Sequence, residues 1–240
     1  MWQIRRGQLA GRGALDAASA IAFAVTPSVT GGVTDLTGGT AGVYTKSIDV
    51  GTYTVGRMIM VGVMARTNAA LAPSSVTISG VTATQVSAAH ANDASTTDTS
   101  VWYVDAATAG GPVTTSGLAT IVVTFGTAPS RIGLSVYSIN GPGVAAPAGV
   151  SSVANSDVTV NTLAVPTGGS MLVFNFATSG YPTVYSATSF TQDVNSNLIT
   201  TQGYASLHST PGALSGTPSV TIAATNATAI NAWSFVSVGP

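Results

Sequence analysis

The sequence predicts an all-β fold: two tandem antiparallel β-sandwiches, jelly-roll or immunoglobulin-like, behind an extended N-terminal arm. Three observations predict it. The periodic segments are built from Val, Thr, Ile and aromatic residues, which suit a pleated, half-buried surface, and helix formers other than Ala are scarce. Clusters of Gly, Pro, Ser and Asn punctuate these segments at short intervals. Several blocks of the first half recur in the same order in the second.

Residues 1–18 read as an arm. They carry mixed charge, Gly7, Gly11 and Gly13, one Trp and no sustained period. Arg5 and Arg6 before an Ala-rich stretch imitate a secretory signal, but the glycines interrupt it, and Arg12 and Asp16 fall in or beside the would-be apolar region. The first sandwich is predicted over 19–142. Its strands begin with alternation at Ile21–Val25 and continue at Val43–Val50, Met58–Arg66, Ser75–Ile78, Thr82–Ser87, Ser100–Asp105, Ala119–Phe125 and Ile132–Ile139. Ile121-Val123-Phe125, Leu134-Val136 and Met58-Met60 show the period of two that a strand requires. The glycines and prolines between Gly141 and Gly149 predict a linker, placed at 143–156.

A second, related sandwich is predicted over 157–240. Gly56-Arg57-Met58-Ile59-Met60-Val61 matches Gly169-Ser170-Met171-Leu172-Val173-Phe174. Thr84-Gln85-Val86 matches Thr191-Gln192-Asp193-Val194 with one extra residue. Leu134–Ile139 matches Trp233–Val238, and Ile121 and Val123 match Val220 and Ile222 at the same offset.

Composition bounds the chemistry. An ordinary domain is about a quarter charged; this chain is 6% charged, with no Glu, a single Lys (Lys46) and two His. A hydrophobic share of 45% still supports a packed core. Acid–base, nucleophilic and metal chemistry draw on side chains that are nearly missing, so the expectation is a non-catalytic protein without cofactor or metal. A net charge of −1 gives no electrostatic basis for binding nucleic acid. The longest apolar stretch, Ala17 to Val25, is shorter than the ~20 residues of a membrane span, so none is expected. With no Cys, disulfides and thiolate metal sites are excluded.

Each local constellation also has a blander reading. His90 and His208 read as solvated loop histidines, because no nucleophile turn of the Gly-x-Ser-x-Gly kind accompanies them. A hydrolase built on either would need a carboxylate partner. Asp93, Asp98 and Asp105 would have to converge to hold Ca²⁺, and turn or strand-end aspartates explain them better. Gly141-Pro142-Gly143 imitates a dinucleotide loop, but Pro142 removes an N–H and Pro147 interrupts the helix that must follow. Asn226-Ala227-Thr228 fits a glycosylation acceptor and equally a turn. Trp102, Tyr181 and Tyr185 are candidates for stacking on sugar rings. Trp102 and Tyr103 point to opposite sides of one strand, so one of them belongs to the core.

Taken together, Ala14–Ser19, Gly56–Val63, Val76–Val86, Val101–Val104 and Ala119–Phe125 resemble β-sandwich modules of tailed-phage virion proteins, also found in bacterial surface proteins. The resemblance spans about residues 14–142, with an echo in 157–240. Ser79-Gly80-Val81 stands where those modules carry a double glycine. The resemblance implies a structural or adhesive role on a particle or cell surface; the expectation is the virion surface, outside the cell, with capsid, portal or tail proteins as partners. It also implies a homo-oligomer, with a trimer as the expectation, and the alternative of a host-surface glycan as ligand. Half of the arginines lie in the first twelve residues. Trp2, Ile4, Arg5, Arg6 and Arg12 are therefore the expected particle-docking residues.

Overall fold

The structure, a computed structural model, describes residues 22–30, 42–51, 57–66, 72–92, 97–105, 109, 117–129, 131–140, 148–154, 158–160, 162–177, 185–186, 189–199, 202–209, 214–222 and 228–235. The arm 1–18 lies outside them. Apart from the helical Ala109, the elements among the described residues are strands, and every pairing between them is antiparallel.

The first nine strands are β1 (Ala22–Thr30), β2 (Val43–Asp49), β3 (Met58–Arg66), β4 (Pro73–Ile78), β5 (Val81–Thr82), β6 (Thr84–Asn92), β7 (Thr97–Val104), β8 (Leu118–Phe125) and β9 (Arg131–Asn140). They form a five-stranded sheet, β1-β9-β3-β7-β6, and a four-stranded sheet, β2-β8-β4-β5. Between these sheets lies a core in which Ile59, Val61 and Val63 of β3 and Trp102 and Val104 of β7 meet Tyr44, Val76, Ile78, Ile121, Val123 and Phe125. Tyr44 meets Phe125 edge-on, with ring centroids 5.9 Å apart at 89°, the arrangement that ring quadrupoles favour. Pro27 falls in β1, an edge strand, opposite Ser135 of β9, and edge strands are where sheets accept proline.

Two backbone positions need special geometry. Gly42 has φ +90°, and a Cβ there would come within 2.5 Å of the Phe125 carbonyl oxygen, so only glycine fits. Ser79 and Gly80, between β4 and β5, have φ of 51° and 83°. A two-residue hairpin with both residues left-handed matches strand twist. Ser79 thus occupies a position that a glycine would fill without strain.

The remaining strands are β10 (Ala148–Ala154), β11 (Val158–Val160), β12 (Val165–Ala177), β13 (Tyr185–Ser186), β14 (Phe190–Ile199), β15 (Gln202–Ser209), β16 (Leu214–Gly216), β17 (Val220–Ile222) and β18 (Thr228–Phe235). They form one sheet ordered β10-β18-β12-β15-β14, with β16 also on β12, and a second ordered β11-β17-β13. β10 lies inside the 143–156 expected as a linker, and only its first two residues overlap the Gly141–Gly149 stretch expected to break any strand. Beyond Pro147, Val150 and Val153 supply apolar positions, and the segment pairs with β18 from Ala148 to Ala154.

Strand order repeats between the two sets. In each large sheet the first strand pairs with the last, the last with the third, and the third with a member of a hairpin. In each small sheet the second strand pairs with the second-to-last, which pairs with the fourth. Register follows the sequence match only in part. Met58 stands opposite Ile139, whereas Met171 stands opposite Ser234. With Met58 equated to Met171, Ser234 takes the place of Ile139, four residues short of the matched Val238.

The two large sheets pack on each other. β12 lies against β3 and β7, β18 against β6 and β7, β10 against β6, and β14 against β1 and β9. The order of layers is therefore small sheet, large sheet, large sheet, small sheet. β3 is the clearest consequence: its residues are buried from Met58 to Ala65, because both of its faces are covered.

Candidate functional site

The most developed polar cluster lies between the large sheets. Odd-numbered β3 residues face the first core, leaving Met58, Met60 and Met64 on the other side, each fully buried. Met60 pairs in register with Tyr137 of β9 and Tyr103 of β7, so both tyrosines share this second face. Tyr137 is itself fully buried. Its hydroxyl donates to Asp193 Oδ2 at 2.6 Å, across 56 residues of chain.

Asp193 owes its position to a β-bulge. Thr191 and Gln192 stand opposite His208 and Leu207, but Val194 stands opposite Ser206, leaving Asp193 as the extra residue. A bulge bends its strand and re-aims one side chain. Here it brings the carboxylate to His208, whose Nδ1 lies 2.8 Å from Oδ1 and 2.9 Å from Oδ2. A carboxylate only accepts hydrogen bonds, so Nδ1 is the protonated ring nitrogen. The Asp193 side chain is 6% exposed and that of His208 19%. Hydrogen bonds to an ionised group are short and about twice as strong as neutral ones.

Unpartnered hydroxyls accompany this cluster. Ser135 lies two residues before Tyr137 on the same side of β9, and Ser206 two residues before His208 on the same side of β15. Both hydroxyl oxygens are buried without a hydrogen-bond partner, as is that of Ser170 at the edge of the same layer.

The histidines therefore differ from the solvated-loop expectation. His208 is on β15 with a carboxylate partner. His90 is on β6, opposite Ser100, and its side chain lies outside the described residues. Trp102 belongs to the first core at 8% exposure, its Nε1 donating to Ser100 Oγ at 2.9 Å. It presents no face for sugar stacking, and Tyr103, half-buried, takes the opposite side of β7. Burial, and after it the nearby Asp105 charge, pushes the Tyr103 hydroxyl pKa up. Tyr181 lies outside the described residues, as does the side chain of Tyr185, whose backbone is in β13. Trp2, Ile4, Arg5, Arg6 and Arg12 also lie outside them.

Asp98 is buried in β7 and Asp105 follows its end, while Asp93 lies outside the described residues. Among the described residues no group of three acidic, histidine or cysteine side chains is placed to hold a metal ion. No described helix is long and apolar enough to cross a membrane.

The outermost sheets present hydroxyls. Thr120, Val122 and Thr124 alternate with buried Ala119, Ile121, Val123 and Phe125 along β8. Ser47 and Thr120 oxygens lie 3.4 Å apart across strands, and those of Thr159 and Thr221 2.8 Å apart on the other small sheet.

The fold and these polar groups define a class: an all-β protein of layered antiparallel sheets with hydroxyl-bearing outer faces. Comparison with protein-family models, with curated proteins and with solved structures finds no match to this chain.

Proposed function

We propose that this protein is a non-catalytic structural component of a tailed-phage virion: a decoration, fibre or spike element. It is held to the particle by residues 1–18 and exposes its sandwiches outside the cell. The observation that carries the reading is the composition: 6% charged residues on a chain built from Gly, Ala, Ser, Thr and Val. Stability that rests on apolar burial rather than on screened surface ion pairs withstands changes of salt, which suits an extracellular particle. The resemblance of residues 14–142 to virion sandwich modules points the same way. The repeated strand order supports two related sandwiches in tandem. Partners in this reading are capsid, portal or tail proteins and further copies of the chain, as a trimer.

The arm gives the test. With residues 1–18 deleted, incorporation into particles is expected to be abolished while the body stays folded. Undiminished incorporation overturns the docking role of Trp2, Ile4, Arg5, Arg6 and Arg12. Native mass measurement of the full chain checks the trimer, and a monomer in assembled particles contradicts it.

A second reading is a carbohydrate-binding adhesive module at a virion or bacterial surface. The exposed hydroxyl pairs Ser47–Thr120 and Thr159–Thr221 favour it. With Trp102 in the core, Tyr181 and Tyr185 are the aromatic contacts left to it. A glycan array without hits at high protein concentration contradicts this reading.

A further inference from the structure

We propose that Tyr137, Asp193 and His208 form a register clasp. They select one docking arrangement of the two large sheets from several that the apolar contact alone would accept. The contact is rich in methionine: Met58, Met60 and Met64 all lie on the β3 face turned toward the second set of strands. Methionine is unbranched and adapts to many partner shapes. Burial of apolar surface has no direction of its own. A face of this kind favours close docking without fixing how far one sheet slides or turns over the other.

The clasp supplies direction. Tyr137 is fully buried and Asp193 nearly so, and breaking the bond of a buried polar group, above all a charged one, is costly. A slide of one strand spacing, about 4.8 Å, would take the Tyr137 hydroxyl out of reach of the carboxylate 2.6 Å away. The Tyr137 hydroxyl would then lose the carboxylate, while Asp193 would keep its bond to His208 of the same sheet. Register selection is the best-attested use of buried polar groups. The acceptor sits on a bulge that leaves Asp193 without a cross-strand partner. The other large sheet also shifts register at the matching place, after Gln85. The site depends on both halves of the chain, with Tyr137 from β9 and the Asp193–His208 pair from β14 and β15.

The native chain has no Cys, so two introduced cysteines take spin labels cleanly. Ser47→Cys and Thr159→Cys place labels on exposed positions of the two outermost sheets. Pulsed electron spin resonance on the full chain should give one narrow distance. Adding Tyr137→Phe, which keeps the ring, is expected to broaden it or add a second distance. An apolar replacement of the whole cluster, Tyr137→Phe with Asp193→Leu and His208→Leu, is the stricter test. It should keep the melting temperature at or above the parent value yet show more than one distance. Stability retained with one unchanged distance in both variants overturns the clasp. So does a fall in melting temperature with that single distance kept, because the cluster would then add stability and no register.

Discussion

Strands β3 and β8 line the same core from opposite sides, yet only β8 alternates. Along β8, Ala119, Ile121, Val123 and Phe125 are buried while the residues between them are exposed or half-buried. Along β3, Met58 to Ala65 are buried without interruption. An antiparallel sheet with one face in water writes itself as apolar–polar alternation, and a sheet covered on both faces does not. The difference teaches that the run Met58-Ile59-Met60-Val61-Gly62-Val63-Met64-Ala65 encodes two interfaces at once. Its odd-numbered positions serve the first sandwich core, and its even-numbered positions serve the contact with β12.

That comparison breaks first at Met60. Met60→Ala should cost about 2–5 kcal/mol, the usual loss for a fully buried methionine. Val122→Ala, on the open face of β8, should cost well below the lower end of that range. Equal losses in chemical denaturation would mean that the second face of β3 is not covered.

The outer sheet offers a gain. Ser79→Gly relieves a left-handed residue in the β4–β5 hairpin and should stabilise by about 1 kcal/mol. A loss on this substitution would contradict the turn geometry.

An alkaline limb sharpens the account of the first core. Tyr44 is buried, donates its hydroxyl to the Pro129 carbonyl at 2.9 Å, and has its pKa pushed up by that burial. The unfolded chain loses this proton first, near the ordinary tyrosine value of about 10. Between that value and the raised folded one, the folded state binds more protons, so stability falls as pH rises. The contribution is intact below about pH 10 and lost as pH climbs through the folded pKa. Tyr44→Phe should flatten this limb in pH-dependent melting, leaving a remainder from Tyr103. An unchanged limb would show that Tyr44 does not titrate from a buried site.

The smallest effect belongs to the outer hydroxyls. Thr120→Ala should stay within about 0.5 kcal/mol, since its 3.4 Å approach to Ser47 is exposed to water.

Much of the fold was legible where the code is local. Met58–Arg66 is read at its observed bounds, and β8 and β9 fall within a residue of expectation at each end. β10 was hidden by the prolines and glycines before it, although Val150 and Val153 were visible. The contact between the large sheets had a signal in the unbroken run of β3, but the run does not say which surface covers it. The site was legible only in outline. The extra residue in Thr191-Gln192-Asp193-Val194 marks the bulge, whereas the meeting of Asp193 with Tyr137 joins positions 56 apart and depends on how sheets stack. Trp102 shows the limit of a period-two argument. It places Trp102 and Tyr103 on opposite faces, and only the sheet's own neighbours decide which face is the core.

The most direct test of the stacked arrangement is a double-mutant cycle on Tyr137→Phe and Asp193→Asn, followed by chemical denaturation of the full chain. Residues in contact couple by about 0.5–3 kcal/mol. The expected result is a coupling in the upper half of that range, because the bond joins a buried phenol to a carboxylate. Additivity within about 0.3–0.5 kcal/mol would mean that the two residues do not meet, and that the large sheets do not dock through this face.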